Sequence, residues 1–239
     1  MRNSDILNDY VPHISKAEFD GEATRFLKQY CPEALETPMA VPIETIARKK
    51  MGLVVLERNL TEDLSILGQM CFTGGLAEIY DKAEDEYREI RVKAGTMIID
   101  PDTEIKRNIG CKRNTISHEC FHWDKHRFYH ILANAAGKKD TAVAFRCPSE
   151  VKDDRTTADW TDEDWMEWQA TSIAPRILMP KETVGIVVAR LCDESKTDPF
   201  VATKLKSQMR WVVERLAAFY DVSKQSAEIR LVELGYLHV

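Results

Sequence analysis

Three histidines and a glutamate fall within nine residues near the middle of the chain. They lie in the stretch NTISHECFHWDKH, residues 114–126. His118, Glu119 and His122 form the pattern His-Glu-x-x-His, which is typical of zinc metallopeptidases. On a helix, residues four positions apart share a face, so both imidazoles can bind one ion at about 2.0–2.1 Å. Glu119 can then take a proton from water and later deliver it to a leaving amine.

The same pattern also has a purely structural interpretation. It arises by chance in on the order of one chain in a hundred, and buried histidines can belong to a core if they have partners. Asn114 or Thr115 can cap the helix. Apolar residues spread around its circumference predict that it is buried: Ile116, Cys120, Phe121, Phe128, Ile131 and Leu132. The pattern favours a metal-binding helix over a set of core histidines.

A catalytic zinc ion needs a third protein ligand. His126 follows His122 by four residues, but it lies about 12 Å from His118 along a straight helix with a rise of about 1.5 Å per residue. Bonds near 2 Å cannot span that distance. His126 can instead support a ligand, contact the substrate or lie at the surface, and the sequence leaves these three alternatives open.

Glu167 is the best remote candidate for the third ligand. It lies in DEDWMEWQATSIAPRILMP, residues 162–180. Thr161 can cap this helix, with Asp164 at the reciprocal position of a capping box. The helix is predicted to end at Pro180.

The face that carries Glu167 is otherwise small and apolar, which allows another helix to approach closely. An acid on such a face needs a countercharge, and a metal ion supplies one. The alternative is that Glu167 is exposed and that Glu163 or Asp164 binds the metal. Acids in the first turn are already explained by the helix dipole. The small residues that share the face are Ala170, Thr171 and Ala174.

Hydrophobic periodicity predicts the elements that position these residues. A small mixed sheet precedes the histidine helix, and helices flank it. The predicted helices cover 17–30, 43–50 and the segment that ends at Pro180, and two more follow Pro199. The predicted strands cover 53–57, 69–81, 95–102 and 141–148. A solvated hairpin tip is predicted at 82–93 and a polar loop at 149–164.

Composition limits the remaining function classes. The chain has 239 residues, of which 44% are hydrophobic and 30% charged, as in ordinary globular proteins. Its net charge of −6 gives no overall basic field for nucleic acid. The six cysteines form no CxxC pair, which favours reduced thiols over disulfides or a cysteine-ligated zinc site. No segment has the apolar length of a signal peptide or a membrane span, so we expect a cytoplasmic protein with no membrane partner.

Three motifs in order resemble the ImmA/IrrE family of metallo-endopeptidases. They are HECFH (118–122), ExxAxxIAxxILMP (167–180) and FYDVSKQSAEIRLVELGYL (219–237), and the resemblance extends from about residue 17 to the C-terminus. It implies an α+β, zincin-like fold of the gluzincin type. It also implies that His118, His122 and Glu167 bind Zn²⁺ and that Glu119 is the general base.

The resemblance implies a substrate class as well. Family members typically cleave a helix-turn-helix transcriptional repressor, often encoded beside them on a phage or mobile element, and so relieve repression. A donor for the transition-state oxyanion is also needed, and His126, Tyr129 and His130 are candidates by proximity. The alternative function is a non-catalytic zinc-binding regulator whose C-terminal helices bind DNA or a repressor. The presence of Glu119 favours catalysis, because a structural zinc site needs no such acid and closes its fourth position.

The predicted organisation has three parts: an N-terminal tail over 1–16, a zincin-like metallopeptidase domain over 17–198 and a helical, helix-turn-helix-like part over 199–239. Ser223 can cap the last helix and Gly235 can end it. Residues 202–239 carry six basic and four acidic side chains, a net charge of only +2. A DNA-reading module usually presents a denser basic face, so packing or partner docking is favoured over DNA contact.

Overall fold

The protein is α+β, with helices packed on a small mixed sheet. A computed structural model describes residues 11, 13–133, 141–149, 159–197 and 205–237. Within these ranges the chain forms six strands and nine α-helices, so the α+β class and the small mixed sheet are confirmed. None of the helices in these ranges is long and apolar enough to cross a membrane.

Four strands form the main sheet. Its order is β1-β5-β2-β6, with β1 parallel to β5 and the other two pairings antiparallel. The predicted strands at 53–57, 95–102 and 141–148 are confirmed, with small shifts of their ends. The strands of this sheet are β1 (Val54–Glu57), β2 (Ile66–Cys71), β5 (Thr96–Ile99) and β6 (Ala144–Pro148).

The segment 69–81 was predicted as one strand, and this prediction is wrong. The main-sheet strand β2 ends at Cys71, and β3 (Gly75–Asp81) pairs with β4 (Glu86–Val92) in a separate antiparallel hairpin. Gly75 has φ of +154°, and a Cβ there would lie 2.5 Å from the backbone nitrogen of Ala142. A glycine therefore lets the chain leave the sheet at this point.

The predicted hairpin tip at 82–93 is also wrong in part, because residues 86–92 form strand β4. Most side chains of this strand are exposed. Within β4, only Ile90 and Val92, at its end, pack against an apolar cluster. A strand that is exposed over most of its length loses the apolar alternation by which strands are recognised in a sequence. The turn between β3 and β4 is correspondingly shorter than predicted.

The first helices contribute to the main apolar cluster. The helix predicted at 17–30 is α1, which buries Phe19, Ala23, Phe26 and Leu27. The helix predicted at 43–50 begins as α3 and continues as a π-helical turn, Ile46–Lys50. The nine helices are α1 (Phe19–Tyr30), α2 (Glu33–Glu36), α3 (Ile43–Thr45), α4 (Ile109–Phe121), α5 (Arg127–Ala133), α6 (Asp162–Leu178), α7 (Lys181–Thr197), α8 (Leu205–Tyr220) and α9 (Lys224–Glu233).

The histidine motif lies on α4, between the sheet and α6. The predicted cap at Asn114 or Thr115 is wrong, because the helix begins at Ile109. Asn108 caps it, with its side chain accepting a hydrogen bond from the backbone N–H of Cys111. After Phe121 the helix continues as a π-helical turn, His122–His126, and then as α5.

The helix that carries Glu167 is α6, and it begins with the predicted capping box of Thr161 and Asp164. It runs through Pro175 and ends just before Pro180, as predicted. The polar loop predicted at 149–164 lies mostly outside the described residues.

The sequence did not predict helix α7, which joins α6 to the C-terminal part. Valines at 184, 187 and 188 face a second apolar cluster that α7 shares with α8 and α9. These β-branched residues are weak helix formers, so burial stabilises this helix more than propensity does. The two predicted tail helices are confirmed as α8 and α9, with Ser223 capping α9 and Gly235 at φ of +76° after it.

The start of α4 touches the turn between α8 and α9 through a glycine. A Cβ on Gly110 would lie 2.4 Å from the backbone nitrogen of Ser223 and 2.5 Å from the carbonyl carbon of Val222. Backbone atoms cannot yield as a flexible side chain does. Gly110 therefore couples the C-terminal helices to the helix that carries the histidines.

We expect Gly110→Ala to lower the free energy of unfolding by about 1–3 kcal/mol, because it overpacks this contact. Gly21→Ala is the control: Gly21 lies inside α1 with nothing within 4 Å of its Cβ position. That change should stabilise the protein by up to about 1 kcal/mol. Chemical denaturation of both variants measures the difference. A neutral Gly110→Ala would mean that the C-terminal helices are not held against α4.

Candidate metal centre

Two helices bring three ligand atoms to one point. The Nε2 atoms of His118 and His122 are 3.0 Å apart, and Glu167 Oε2 lies 3.3 Å from the first and 3.4 Å from the second. His118 lies on α4 and His122 begins the π-helical turn that continues it, on the same face as predicted, and Glu167 comes from α6. The three residues form a group that could hold a metal ion.

The spacing of these atoms fits a tetrahedral ion. Zinc bonds of about 2.0–2.1 Å at tetrahedral angles separate the ligand atoms by about 3.3–3.4 Å. The histidine rings are buried, and Glu167 Oε2 has no hydrogen-bond partner. A buried carboxylate oxygen without a partner is costly unless a cation compensates it. The donor set, its spacing and this oxygen all fit Zn²⁺.

The α4–α6 contact is close because the facing residues are small. Ser117 on α4 donates a hydrogen bond to the carbonyl oxygen of Ala174 at 3.1 Å. The alternative ligands are placed elsewhere: Asp164 caps its own helix and Glu163 is exposed. Burial raises the pKa of Glu167, but His118 and His122 outweigh it and hold that pKa well below its ordinary value. Glu167 is therefore ionised.

His126 does not reach the cluster directly, but it bonds to a ligand. His122 Nδ1 lies 2.9 Å from His126 Nδ1, and His126 Nε2 lies 3.1 Å from Gln169 Oε1. The amide oxygen of Gln169 only accepts, so His126 Nε2 donates to it and His126 Nδ1 must accept the proton of His122 Nδ1. His122 Nε2 is left with its lone pair toward the cluster. Of the three alternatives for His126, the structure shows the supporting one.

Burial keeps this chain of rings neutral. It lowers the pKa of His122 to about 4, and it lowers the pKa of His126 well below the ordinary value for histidine. Neutral imidazole is the form that binds a metal, and a hydrogen bond on the distal nitrogen fixes the tautomer and orients the ring. His126 is fully buried, so it is not a surface histidine.

The π-helical turn that places His126 is held from outside by α1. Asp124 accepts hydrogen bonds from Arg25 Nη2 at 2.6 Å and from the Tyr30 hydroxyl at 2.8 Å. Lys125 forms an ion pair with Glu22 at 2.8 Å. A π-helical turn is less favourable than a continuous α-helix and is common at functional sites. These contacts stabilise it here.

Glu119 lies under the sheet, beside the cluster. It is fully buried, and neither carboxylate oxygen has a hydrogen-bond partner. Burial raises its pKa to about 8. The neighbouring strand makes room for it with a glycine, since a Cβ on Gly68 would lie 2.9 Å from Glu119 Oε1 and 2.6 Å from Thr115 Cγ2.

Strand β6 lies next to β2 in the sheet and faces the cluster from the same side. Cys147 pairs with Gly68 across the ladder, so its side chain points to the same face of the sheet, toward α4. Ligand atoms of Cys147, His118 and Glu119 all lie within 4.8 Å of one another. Phe145, two residues earlier on the same face, packs on the His122 ring with centroids 4.9 Å apart.

The remaining predicted site residues are placed around this core. The Tyr129 hydroxyl donates to Asp162 at 3.3 Å, one turn before Glu167 on α6. The His130 ring stacks on Phe72 with centroids 4.3 Å apart. The structure brings neither side chain into the ligand group. The prediction that the whole helix is buried is wrong for α5, because three of its apolar residues are exposed: Phe128, Ile131 and Leu132.

Sequence reasoning missed three residues of the site. Gln169 lies between Met166 and Ile173 at the helical spacing of buried residues. A polar residue at such a buried position was the sequence signal that could have identified it. Cys147 lies two residues after Phe145 on a short strand, so the sequence predicts that they share a face, but it does not predict which residues that face covers. Gly68 had no local signal, because its role depends on the contact between β2 and α4.

The fold and the cluster together define an α+β protein with two histidines and a carboxylate that could hold a metal ion. In comparisons with known proteins, no family model, curated protein or solved structure matches the chain. Any assignment of metal chemistry to the cluster therefore rests on its geometry.

The hydrogen-bond chain predicts how Gln169 affects zinc binding. Gln169→Leu removes the acceptor that fixes both ring tautomers, so zinc affinity should fall by about 10–100-fold. Gln169→Glu keeps an acceptor at this position and should stay close to the wild type. Competition with a chelator of known affinity measures both variants. Equal losses in the two would show that the side chain acts through packing and not through the proton it accepts.

The same geometry separates ligands from supporting residues. Zinc content after identical dialysis should be largely lost in His122→Ala and Glu167→Ala. His126→Ala should retain zinc, although with weaker affinity. An empty His126→Ala protein together with a full Glu167→Ala protein would contradict the ligand assignment.

The raised pKa of Glu119 predicts that the stability of the metal-free protein depends on pH. Its pKa is about 8 in the folded state and about 4.3 in an unfolded chain. Between these values the folded state binds more protons, so Glu119 makes stability fall as the pH rises. Glu119→Gln lacks this loss. Its melting temperature should therefore exceed that of the wild type by a margin that widens from about pH 5 to about pH 8 and then levels off. A margin independent of pH would show that Glu119 is not buried as described.

Proposed function

We propose that the protein is a zinc-dependent, gluzincin-like endopeptidase that cleaves a helix-turn-helix transcriptional repressor and so relieves repression of phage or mobile-element genes. The observation that carries the catalytic part is the convergence of His118, His122 and Glu167 beside the unpartnered carboxylate of Glu119. The repressor substrate rests on the resemblance of the three sequence motifs to the ImmA/IrrE family.

The residues divide the chemistry between them. When bound, Zn²⁺ supplies a Lewis acid for the scissile carbonyl and lowers the pKa of water to about 7. His118, His122 and Glu167 hold the ion, and the contact of His122 with His126 orients one ligand. The Glu119 carboxylate has two oxygens without hydrogen-bond partners, so it is free to take the proton of the attacking water and pass it to the leaving amine.

The sheet offers a place for an extended peptide. β6 is the last strand in the order β1-β5-β2-β6, and its inner face covers the cluster. An edge strand can bind an extended segment through backbone hydrogen bonds, whatever the segment's sequence. This arrangement supports a polypeptide substrate over a small molecule. The C-terminal helices α8 and α9 share their core with α7, which supports packing over DNA contact as their role.

Glu119→Gln tests catalysis directly. The substrate is the repressor encoded nearest to the gene of this protein, incubated with and without a chelator. The wild type should produce a cut fragment only when zinc is bound. Glu119→Gln should keep the fold and the zinc but cleave about 10²–10⁴-fold more slowly, because it cannot move the protons. Glu163→Gln, the same change at an exposed acid of α6, is the matched control and should cleave normally.

The outcomes separate the enzyme from a non-catalytic regulator. Wild-type activity in Glu119→Gln would remove Glu119 from the mechanism. A zinc-loaded wild type that binds the repressor without cutting it would instead favour the regulator, in which zinc joins α4 to α6. A protein with no affinity for zinc would contradict both.

A further inference from the structure

Cys147 differs from the other cysteines in what its side chain faces. Cys31 and Cys120 lie in the main apolar cluster, whereas Cys147 lies on β6 within 4.8 Å of ligand atoms of His118 and Glu119. Its backbone position is fixed by the β2–β6 ladder, in which it pairs with Gly68.

We propose that Cys147 is a fourth metal ligand, a thiolate that joins the two histidines and Glu167 and closes the centre. This inference rests on the proposed zinc centre and adds a regulatory state to it. Ligation exchanges the S–H bond for a metal–sulfur bond and releases the proton to solvent.

The thiol lies near one of the three ligands and must move to reach the other two. Nitrogen and sulfur ligands of one tetrahedral zinc ion lie about 3.6 Å apart, given bonds of about 2.0–2.1 Å and 2.3 Å. Cys147 and His118 present ligand atoms within 4.8 Å of each other, and His118 also belongs to the group with His122 and Glu167. Ligation therefore requires the Cys147 side chain to move toward His122 and Glu167, from a strand whose backbone already directs it at α4.

The surroundings of the thiol indicate a ligand independently of the cysteine. Both oxygens of Glu119 are buried without a hydrogen-bond partner, next to Cys147 and under the same strand. Two buried polar atoms without a partner need one that the described residues do not supply. A cation held between His118 and Cys147 would attract these oxygens and favour the ionised form of Glu119, so a metal near the thiol explains both observations.

A thiolate in this position changes what the centre can do. Four protein ligands are typical of structural zinc, whereas a catalytic site leaves one position to water or substrate. While Cys147 is bound, Glu119 has no activated water beside it. The centre is then closed, and the departure of the thiolate opens it for the proposed reaction.

Cobalt substitution tests the ligand without using activity. Co²⁺ is added to the metal-free full-length protein, and its absorption is recorded in the visible and the near ultraviolet. The wild type should show a thiolate-to-Co²⁺ charge-transfer band that saturates at one equivalent. Cys147→Ser should bind Co²⁺, as seen in the visible bands, but lose the charge-transfer band. Cys192→Ser, which changes a partly buried cysteine in the C-terminal cluster, is the matched control and should keep it.

X-ray absorption of the zinc-loaded wild type gives the same answer without a variant. One sulfur at about 2.3 Å should accompany nitrogen and oxygen ligands at about 2.0–2.1 Å. If Co²⁺ and Zn²⁺ bind without any sulfur signature, the Cys147 inference fails while the proposed metal centre stands. If neither ion binds, the metal centre itself fails. A charge-transfer band that persists in Cys147→Ser would assign the sulfur to another cysteine and overturn the inference.

Discussion

The convergence of three electron-pair donors in the buried interior is the interaction on which the rest of the structure depends. His118, His122 and Glu167 place their donor atoms 3.0–3.4 Å apart. Buried lone pairs held this close repel one another unless a proton or a metal cation lies among them. The same contact sets how closely α4 and α6 must approach, and small residues such as Ala174 permit it. The group that could hold a metal ion and the packing of the two central helices therefore depend on the same contact.

The second consequence of this convergence is the π-helical turn, His122–His126. A ligand histidine must present its lone pair to the ion, so its other nitrogen needs an acceptor. His126 supplies that acceptor and Gln169 fixes the tautomer of His126. His122 and His126 lie four residues apart, so their rings share a face and stay in contact. Helix α1 holds the turn through Asp124, so a surface ion-pair network supports a buried ring contact.

The sheet places two further side chains beside the ligand group. Gly68 leaves room for the carboxylate of Glu119, and Cys147 pairs with Gly68 on the neighbouring strand. Glu119 and Cys147 thus both lie within 4.8 Å of a ligand atom of His118. The first favours hydrolysis and the second favours a closed, structural site. The proposed peptidase is consistent with both if the sulfur ligand can be displaced.

The sequence by itself determined the local features: the same-face pair His118 and His122, Glu167 on a capped helix, the apolar stripe of α1 and the cap of α9 at Ser223. Each depends on residues a few positions apart, whose spacing fixes a shared face whatever surrounds them. Only the tertiary structure decided the role of His126, the room at Gly68 and the approach of Cys147. These depend on which strand lies over which helix, and in what register. Helix α7 was not predicted because burial against α8 and α9, rather than helix propensity, stabilises it. Strand β4 was predicted as a hairpin tip because its exposed side chains show no apolar alternation. Contacts between segments distant in sequence leave no local periodicity, so the chain must fold before they exist.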